Sequence, residues 1–266
     1  MTKFAEYGFN KSHTAAYAVV SYHTAWLKAH HTAAFMAATM SSELDNTDQL
    51  KVFYDDCVEK NKLEILPPDV NESVYRFVPV GKKQIRYALG AIKGVGEGAV
   101  NMIVAERSEN GPFKDLYDFC MRTDKKEVNK RVIEALIRGG AFDALESNRA
   151  QLLANVEQAM SLAEHAAANA NQGSLFDVFE PSAAPTVEWI SAPAWDDKTR
   201  LAEEKPAIGF YLSGHPFDAY ARDVKSFIKT RLDRLQPTRT KDTQFIAGIV
   251  IGVRVKKTET GGAWRL

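Results

Sequence analysis

Apolar side chains recur at helical spacing through the first sixty residues of the chain. Val19, Tyr22 and Trp26 follow one another at intervals of three and four positions, and neither Gly nor Pro occurs between Lys11 and Leu66. This spacing predicts helices with an apolar face. The polar run 40–46 interrupts the pattern, so we expect a second helix that begins near Ser41 or Ser42, capped by one of these serines.

The pattern then becomes short and extended. Residues 73–79 and 84–90 predict two strands on either side of Gly81. Further helices are predicted from their breakers and caps. They are a stretch after residue 96 through Arg107, a short helix at 114–120, one at 130–138 capped by Asn129, one from Asn148 to about Ala168, and helical residues 199–235 interrupted at 213–216.

The end of the chain has the strongest tendency to form strands. Residues 245–255 are rich in Ile and Val, a Thr260-Gly-Gly turn follows, and a second strand is predicted from Ala263. An isolated hairpin is only marginally stable in water. We therefore expect the chain to stop inside a domain and to be a fragment of a longer protein.

Composition excludes several classes of protein. The 34 basic and 34 acidic residues cancel, although residues 222–257 hold ten bases and only three acids. Cys57 and Cys120 form no CxxC pair, which argues against a disulfide framework or a zinc site and favours a reducing compartment. No apolar run is long enough for a membrane span, and no signal pattern opens the chain. We therefore expect a cytoplasmic protein without a membrane partner.

The stretch Ile92-Lys-Gly-Val-Gly-Glu-Gly-Ala-Val100, here called the first hairpin, has the glycine spacing of a helix-hairpin-helix motif. Gly94, Gly96 and Gly98 allow close backbone approach, Val95 is expected to pack beneath the turn, and Lys93 adds charge. The N–H groups that open the next helix then face outward and suit a phosphate. A plain glycine turn is the alternative. A nucleotide-binding loop needs G-x-G-x-x-G or G-K-[ST], and neither is present.

A weaker copy, here called the second hairpin, lies at residues 133–143. Its two glycines, Gly139 and Gly140, are adjacent, so on its own it also fits a simple helix C-cap. Together the two copies indicate a tandem phosphate-binding module. The basic residues expected at its rim are Lys130, Arg131, Arg138 and Arg149.

Two other segments suggest ligands. Lys11, Ser12 and His13 are expected at the start of the first helix, where a phosphate is favoured, and Tyr17 either stacks on a base or packs in the core. The linker-like residues 169–198 contain the apolar run NQGSLFDVFE, which either folds back on its own domain or enters a partner's pocket. No catalytic constellation and no metal site stand out.

Several motifs in one order resemble a known family. They are FAEYGFNKSHTAAYAVVSYHTAWLKAH, ILPPDVN, ALGAIKGVGEGAV, LIRGGAFD, QGSLFD and GFYLSGHP, which together resemble the alpha subunits of bacterial replicative DNA polymerase III, the C family of DNA polymerases. The resemblance covers essentially the whole chain. It implies a mainly α fold: the end of the polymerase fingers at 1–80, a tandem helix-hairpin-helix domain at 81–168, a linker at 169–198, a helical connector at 199–240, and the first strands of an OB domain at 241–266.

The resemblance also implies an activity and partners. The parent protein would be a DNA-directed DNA polymerase that uses Mg²⁺ and dNTPs, whereas this segment would lack the palm carboxylates, hold no cofactor and be inactive alone. Partners would be primer–template duplex DNA, other polymerase III holoenzyme subunits, and the β sliding clamp, bound through Gln172, Leu175 and Phe176. Lys11, Ser12 and His13 would lie near the incoming nucleotide. A stand-alone helix-hairpin-helix repair module and an error-prone paralogue of the polymerase are the alternatives.

Overall fold

The computed structural model describes residues 11–171, 189–228, 235, 245–250, 255–257 and 263–265. The fold is mainly helical, as predicted, and divides into two compact units, one up to Leu212 and one from Ser213. None of the helices in the described ranges is both long and apolar enough to cross a membrane. The helices of the first unit are α1 (Lys11–His30), α2 (Thr32–Ser42), α3 (Thr47–Asp55), α4 (Glu97–Asn110), α5 (Leu116–Arg122), α6 (Lys130–Arg138), α7 (Arg149–Asn171) and α8 (Asp197–Ile208).

The corner between α2 and α3 lies where the polar run predicted a break, but its cap is a different residue. The Asn46 side chain accepts a hydrogen bond from the Gln49 N–H and caps α3. Ser42 instead donates to the Thr39 carbonyl, and Ser41 donates to the Ala37 carbonyl while accepting the Phe77 N–H. The predicted serine cap is therefore wrong, because both hydroxyls bond back into α2.

A three-stranded sheet follows α3 and a π-helical turn at Asp56–Lys60. Its strands are β1 (Glu64–Leu66), β2 (Val78–Val80) and β3 (Gln84–Arg86), in the order β1-β3-β2. The predicted hairpin of β2 and β3 is confirmed, and its turn begins at Gly81 with φ +76°. Strand β1, which pairs with β3 in parallel, was not predicted.

Helices α4 to α7 enclose an aromatic core. The ring of Phe119 makes edge contacts with Phe113 and Phe142 at centroid distances of 4.8 and 5.0 Å. The predicted caps are confirmed: Asn129 accepts the N–H groups of the first turn of α6, and Asn148 accepts the Gln151 N–H at the start of α7.

Helix α8 closes the first unit, although the sequence suggested a linker followed by a connector. Buried Asn155 of α7 both donates to the Ile190 carbonyl and accepts the Ile190 N–H, each at 2.8 Å. Asn148 donates to the Ala192 carbonyl at 2.8 Å. Residues 190–192 are thus held along α7 as an extended strap, and the strap leads into α8, which packs on α6.

The second unit contains α9 (Asp218–Phe227) and the antiparallel pair β4 (Val255–Lys257) and β5 (Ala263–Arg265). The predicted strand start at Ala263 is confirmed. Residues 245–250, predicted as strand, have no regular structure. Phe245 and Val250 are exposed there, and in the described part of the chain no strand pairs with them, so the predicted strand is not formed over 245–250, whereas Val255 at its end begins β4.

Candidate nucleic-acid interface

The first hairpin is a tight glycine turn. It follows a single 3₁₀ turn, Leu89–Ala91, rather than the full helix that the motif predicted. Gly94 has φ +87°, and the Val95 N–H donates to the Ile92 carbonyl at 3.1 Å. Val95 is buried beneath the turn, as expected. The turn therefore directs the chain into α4 with its backbone toward the surface.

The N-terminus of α4 has no side-chain cap. Gly96 is the N-cap residue, with φ −79° and ψ 162°, a conformation open to every residue. A Cβ atom at this position would meet no atom within 4 Å, so packing does not require glycine either. Ser or Asp would stabilise the helix better by accepting an N–H. The missing side chain leaves the first N–H groups of α4 accessible, which suits an anion.

Lys93 is anchored through its backbone and displays its charge. Its N–H donates to the Ala207 carbonyl at the end of α8, at 2.8 Å. The side chain is exposed, forms no ion pair with any described residue, and passes 3.2 Å from the Cβ position of Gly209. Residues 92–96 also line an open cleft that continues to Tyr75. Helix α8 thus holds the base of the hairpin while the ammonium group stays available.

An acidic side chain lies beside the same helix end. The Glu127 carboxylate contacts the position that a Cβ atom of Gly98 would occupy. Glu127 is exposed and comes from the loop before α6, 29 residues after Gly98. Its negative charge interacts favourably with the positive end of the α4 helix dipole. The same charge competes with an incoming phosphate.

The backbone N–H groups of the second hairpin form hydrogen bonds within the hairpin itself. The Ala141 N–H donates to the Leu136 carbonyl and the Gly140 N–H to the Ile137 carbonyl, which is the Schellman arrangement of a helix C-cap. Gly140 supplies the required positive φ, +85°. At Gly139 a Cβ atom would lie 3.0 Å from the Ile92 side chain, so this glycine makes room for the first hairpin.

Arg149 lies inside the second hairpin and not at its rim. Its guanidinium group donates to the Asp143 carboxylate at 2.6 and 2.8 Å, to the Glu204 carboxylate at 3.3 Å and to the Arg138 carbonyl at 3.0 Å. The Arg149 and Glu204 side chains are only 6% and 1% exposed. Burial disfavours the cation, but the bonds and charges of Asp143 and Glu204 outweigh it, so the Arg149 pKa is raised. Because the Arg149 guanidinium group is buried and bonded to carboxylates of the protein, Arg149 does not belong to the predicted basic rim.

The other rim cations differ in how far they are neutralised. Arg138 pairs with Glu134 and Glu203 at 3.1 and 2.9 Å. Lys130 pairs with Glu157, and this hydrogen bond raises the Lys130 pKa. Arg131 is exposed and forms no ion pair within the described ranges. Of the predicted rim, Arg131 therefore keeps the most available charge.

The remaining predicted sites are only partly described. Ser12 and His13 are exposed in the first turn of α1, and the side chain of Lys11 lies outside the described residues. Tyr17 is 60% exposed with its ring 4.4 Å from that of His13, so it is not a core residue. The predicted clamp-binding residues Gln172, Leu175 and Phe176 also lie outside the described residues.

Groups suited to metal binding or thiol chemistry do not gather in the described parts of the chain. No three His, Cys, Asp or Glu side chains there are placed to hold a metal ion. Cys57 and Cys120 are buried, and burial raises the pKa of each thiol to about 12. Both thiols therefore stay protonated at neutral pH.

Comparison with known proteins agrees with the hairpin geometry. Residues 62–152 match the family model of the helix-hairpin-helix motif. The chain is 60% identical over 261 residues to the DNA polymerase III subunit alpha of Neisseria meningitidis serogroup B, covering 98% of this chain and 22% of the relative. Nearly the whole chain is homologous to one segment of these alpha subunits. The predicted resemblance is confirmed.

More distant alpha subunits give the same result. That of Vibrio cholerae is 45% identical over 262 residues, and that of Escherichia coli K12 is 42% identical over 264 residues. Each match covers 97% of this chain, but only 22% and 23% of the respective relative. The chain thus spans between a fifth and a quarter of the length of the alpha subunits it matches.

Residues that sequence reasoning missed are the partners of the hairpins. Glu203, Glu204 and Ala207 of α8 hold both hairpins in place, and Glu127 lies at the helix end that is proposed to bind phosphate. These contacts join positions between 29 and 114 residues apart, so no local sequence pattern predicts them. The only local signal was the N-cap Asp196, which marks the start of α8.

Proposed function

We propose that the chain is the segment of a bacterial replicative DNA polymerase alpha subunit that holds duplex DNA behind the site of synthesis. The observation that carries this proposal is the first hairpin. Its glycines leave the N-terminus of α4 uncapped, and Lys93 stands beside it without an ion pair in the described structure. Helix N-termini and lysines bind phosphates without reading bases, as a processive polymerase requires.

Removal of the Lys93 charge tests this proposal. In Lys93→Ala, duplex DNA of every sequence is expected to bind more weakly, and the slope of log affinity against log salt is expected to flatten by roughly one unit. Fluorescence anisotropy with two labelled duplexes of unrelated sequence measures both quantities. An unchanged salt slope would sink the assignment.

We propose that the parent protein is a cytoplasmic DNA-directed DNA polymerase, with Mg²⁺ and dNTPs handled by other parts of its chain. The described residues contain no cluster fit to hold a metal ion, so we assign no chemical step to them. Lys11, Ser12 and His13 are proposed to approach the incoming nucleotide, and residues 241–266 to begin an OB domain. The chain alone is expected to extend no primer, and measurable extension with dNTPs and magnesium would contradict this.

We also propose that QGSLF, residues 172–176, binds the β sliding clamp, with other holoenzyme subunits binding elsewhere. Leu175 and Phe176 would fill an apolar pocket, and Gln172 would orient the peptide by hydrogen bonds. Replacing all three with Ala is expected to abolish retention on immobilised clamp while the thermal midpoint stays unchanged. Equal retention of wild type and variant would end this assignment.

A further inference from the structure

A long stretch of the chain around the first hairpin contains no acidic residue. Between Glu72 and Glu97 the sequence runs for 24 residues with five cations and no Asp or Glu. The whole chain has 34 acids in 266 residues, so a stretch of this length would average about three. The five cations are Arg76, Lys82, Lys83, Arg86 and Lys93.

Four of these cations lie on or next to the β2–β3 hairpin, and we call residues 76–86 the basic ribbon. Lys82 and Lys83 form its tip, next to Gly81, and both are exposed. Arg76 is exposed just before β2, and Arg86 lies opposite Val78 in the register of the pair. In the part of the chain that the structure describes, none of the four forms a salt bridge.

The acid nearest to the ribbon in the sheet is already engaged. Glu64 of β1 lies opposite Gln84 and accepts a hydrogen bond from its amide at 2.7 Å. Arg86 donates to the Pro67 carbonyl at 3.2 Å, which fixes its side chain without neutralising it. The Gln84 amide is neutral, so Glu64 keeps its charge, but it is one acid beside four cations that form no ion pair in the described structure, unlike Arg138 or Lys130.

The ribbon is joined rigidly to the first hairpin. Beyond β3 the chain enters the core at Tyr87, and the Leu89 and Gly90 N–H groups donate to the Val74 and Tyr75 carbonyls at 2.9 and 3.1 Å. The residues before β2 therefore pair with the residues that lead into the hairpin. A short buried connection of this kind holds the two basic elements in a fixed relation.

From this arrangement we propose that the basic ribbon binds a second stretch of the phosphate backbone of the DNA held by the first hairpin. Lys82 and Lys83 make the contacts, and Arg76 and Arg86 add to the local potential. The inference rests on the proposed function, since it takes the hairpin as the first contact. Phosphate groups fit better than an acidic protein surface, because the ribbon continues directly into the phosphate-binding turn and its cations lie at the surface without acidic partners.

The test is a titration of the whole chain with a labelled duplex of about 20 base pairs at several salt concentrations. Lys82→Ala combined with Lys83→Ala is expected to flatten the salt slope by about 1.8 units, because each lost phosphate contact releases about 0.9 fewer counterions. Lys51→Ala combined with Lys60→Ala is the matched control. It removes the same net charge from two lysines that pair with Asp55 and Asp56, and its slope is expected to stay at the wild-type value.

The outcomes separate the ribbon from the hairpin. A flattened slope in the ribbon variant alone supports the proposal. An unchanged slope in that variant, with Lys93→Ala behaving as expected, overturns the ribbon and leaves the hairpin standing. If the salt slope flattens equally in the ribbon and control variants, the effect comes from overall charge, and the ribbon proposal is also overturned. A wild-type chain that binds no duplex overturns both proposals, and retention on an acidic protein without DNA binding points to a protein partner instead.

Discussion

The two glycine hairpins resemble each other in sequence but differ in what surrounds their glycines. At Gly94 and Gly96 of the first hairpin, an added Cβ atom would meet nothing within 4 Å. At Gly140 of the second it would meet the Arg149 guanidinium and the Asp143 carboxylate, and at Gly139 the side chain of Ile92. Gly94 and Gly96 of the first hairpin therefore face solvent, whereas both glycines of the second hairpin face protein atoms.

This difference separates two reasons for using glycine. A glycine that faces empty space in an unstrained conformation, as Gly96 does, leaves room for a ligand to approach the backbone. A glycine that faces packed atoms serves the fold. The second hairpin therefore connects the first one to α8, and the first hairpin is the one that we propose to bind DNA.

Breaking the buried ion network is expected to have the largest effect. Arg149→Ala removes the guanidinium group that neutralises the buried Glu204 carboxylate, and we expect the free energy of unfolding to fall by about 3–5 kcal/mol. Urea denaturation followed by circular dichroism measures this. Arg131→Ala, which removes an exposed arginine from the same region, serves as the control and should barely move the midpoint. If the Arg149→Ala protein were as stable as wild type but bound DNA more weakly, Arg149 would be a DNA-contacting residue of the rim instead.

Alanine substitutions at Gly94 and Gly140, which both have positive φ, are expected to destabilise the two hairpins to different extents. Gly94→Ala meets only the backbone strain of the left-handed region, about 1–2 kcal/mol. Gly140→Ala meets the same strain and also collides with Arg149, so its cost should be larger by about 1 kcal/mol or more. Parallel urea titrations of the two variants give the difference. Equal losses would mean that the second hairpin is as open as the first.

Gly96→Ala is expected to separate binding from folding. The backbone conformation accepts Ala and the space is empty, but Ala is a poorer N-cap residue than Gly, so the thermal midpoint should fall only slightly. The added methyl group stands where a phosphate would approach, and we expect duplex affinity to fall about tenfold, the equivalent of one charge-assisted hydrogen bond. Unchanged affinity measured by anisotropy would show that the phosphate does not come this close.

The smallest expected effect concerns the acid at the open hairpin. Glu127→Gln removes a negative charge next to Gly98, and duplex affinity is expected to rise about threefold at low salt. Glu109→Gln is the matched control, since it removes one exposed carboxylate from the far end of the same helix. If the two variants gained equally, the position of Glu127 would have no special role.

The sequence predicted those elements whose signals are local. The caps Asn129 and Asn148 marked the starts of α6 and α7 because a side chain that accepts an N–H two or three residues later leaves a readable pattern. The same logic failed at Ser41 and Ser42, because the N–H group of Phe77, which precedes β2, donates to the Ser41 hydroxyl. Cap chemistry is thus predictable only where tertiary contacts do not redirect it.

What the sequence left out depends on distant partners. Strand β1 has three residues and exists because β3 pairs with it twenty positions later. The burial of Arg149 depends on Glu204, and the strap depends on Asn155, which reads as an ordinary helical residue until Ile190 returns to it. The open first hairpin was predictable from its glycines, but the closed second one became distinguishable only through its neighbours.

The strap on α7 has a mechanical consequence. The chain leaves α7 at Asn171 and is hydrogen-bonded again to the same helix at Asn155, so the described residues on either side of 172–188 are both attached to α7. A partner that pulls on this stretch would load α7 at two points and leave the junction with α8 under no direct strain. A protease cut inside the stretch would likewise leave two pieces joined without a covalent bond, because Asn155, Arg149 and the Lys93 backbone all hold the later piece to the earlier one.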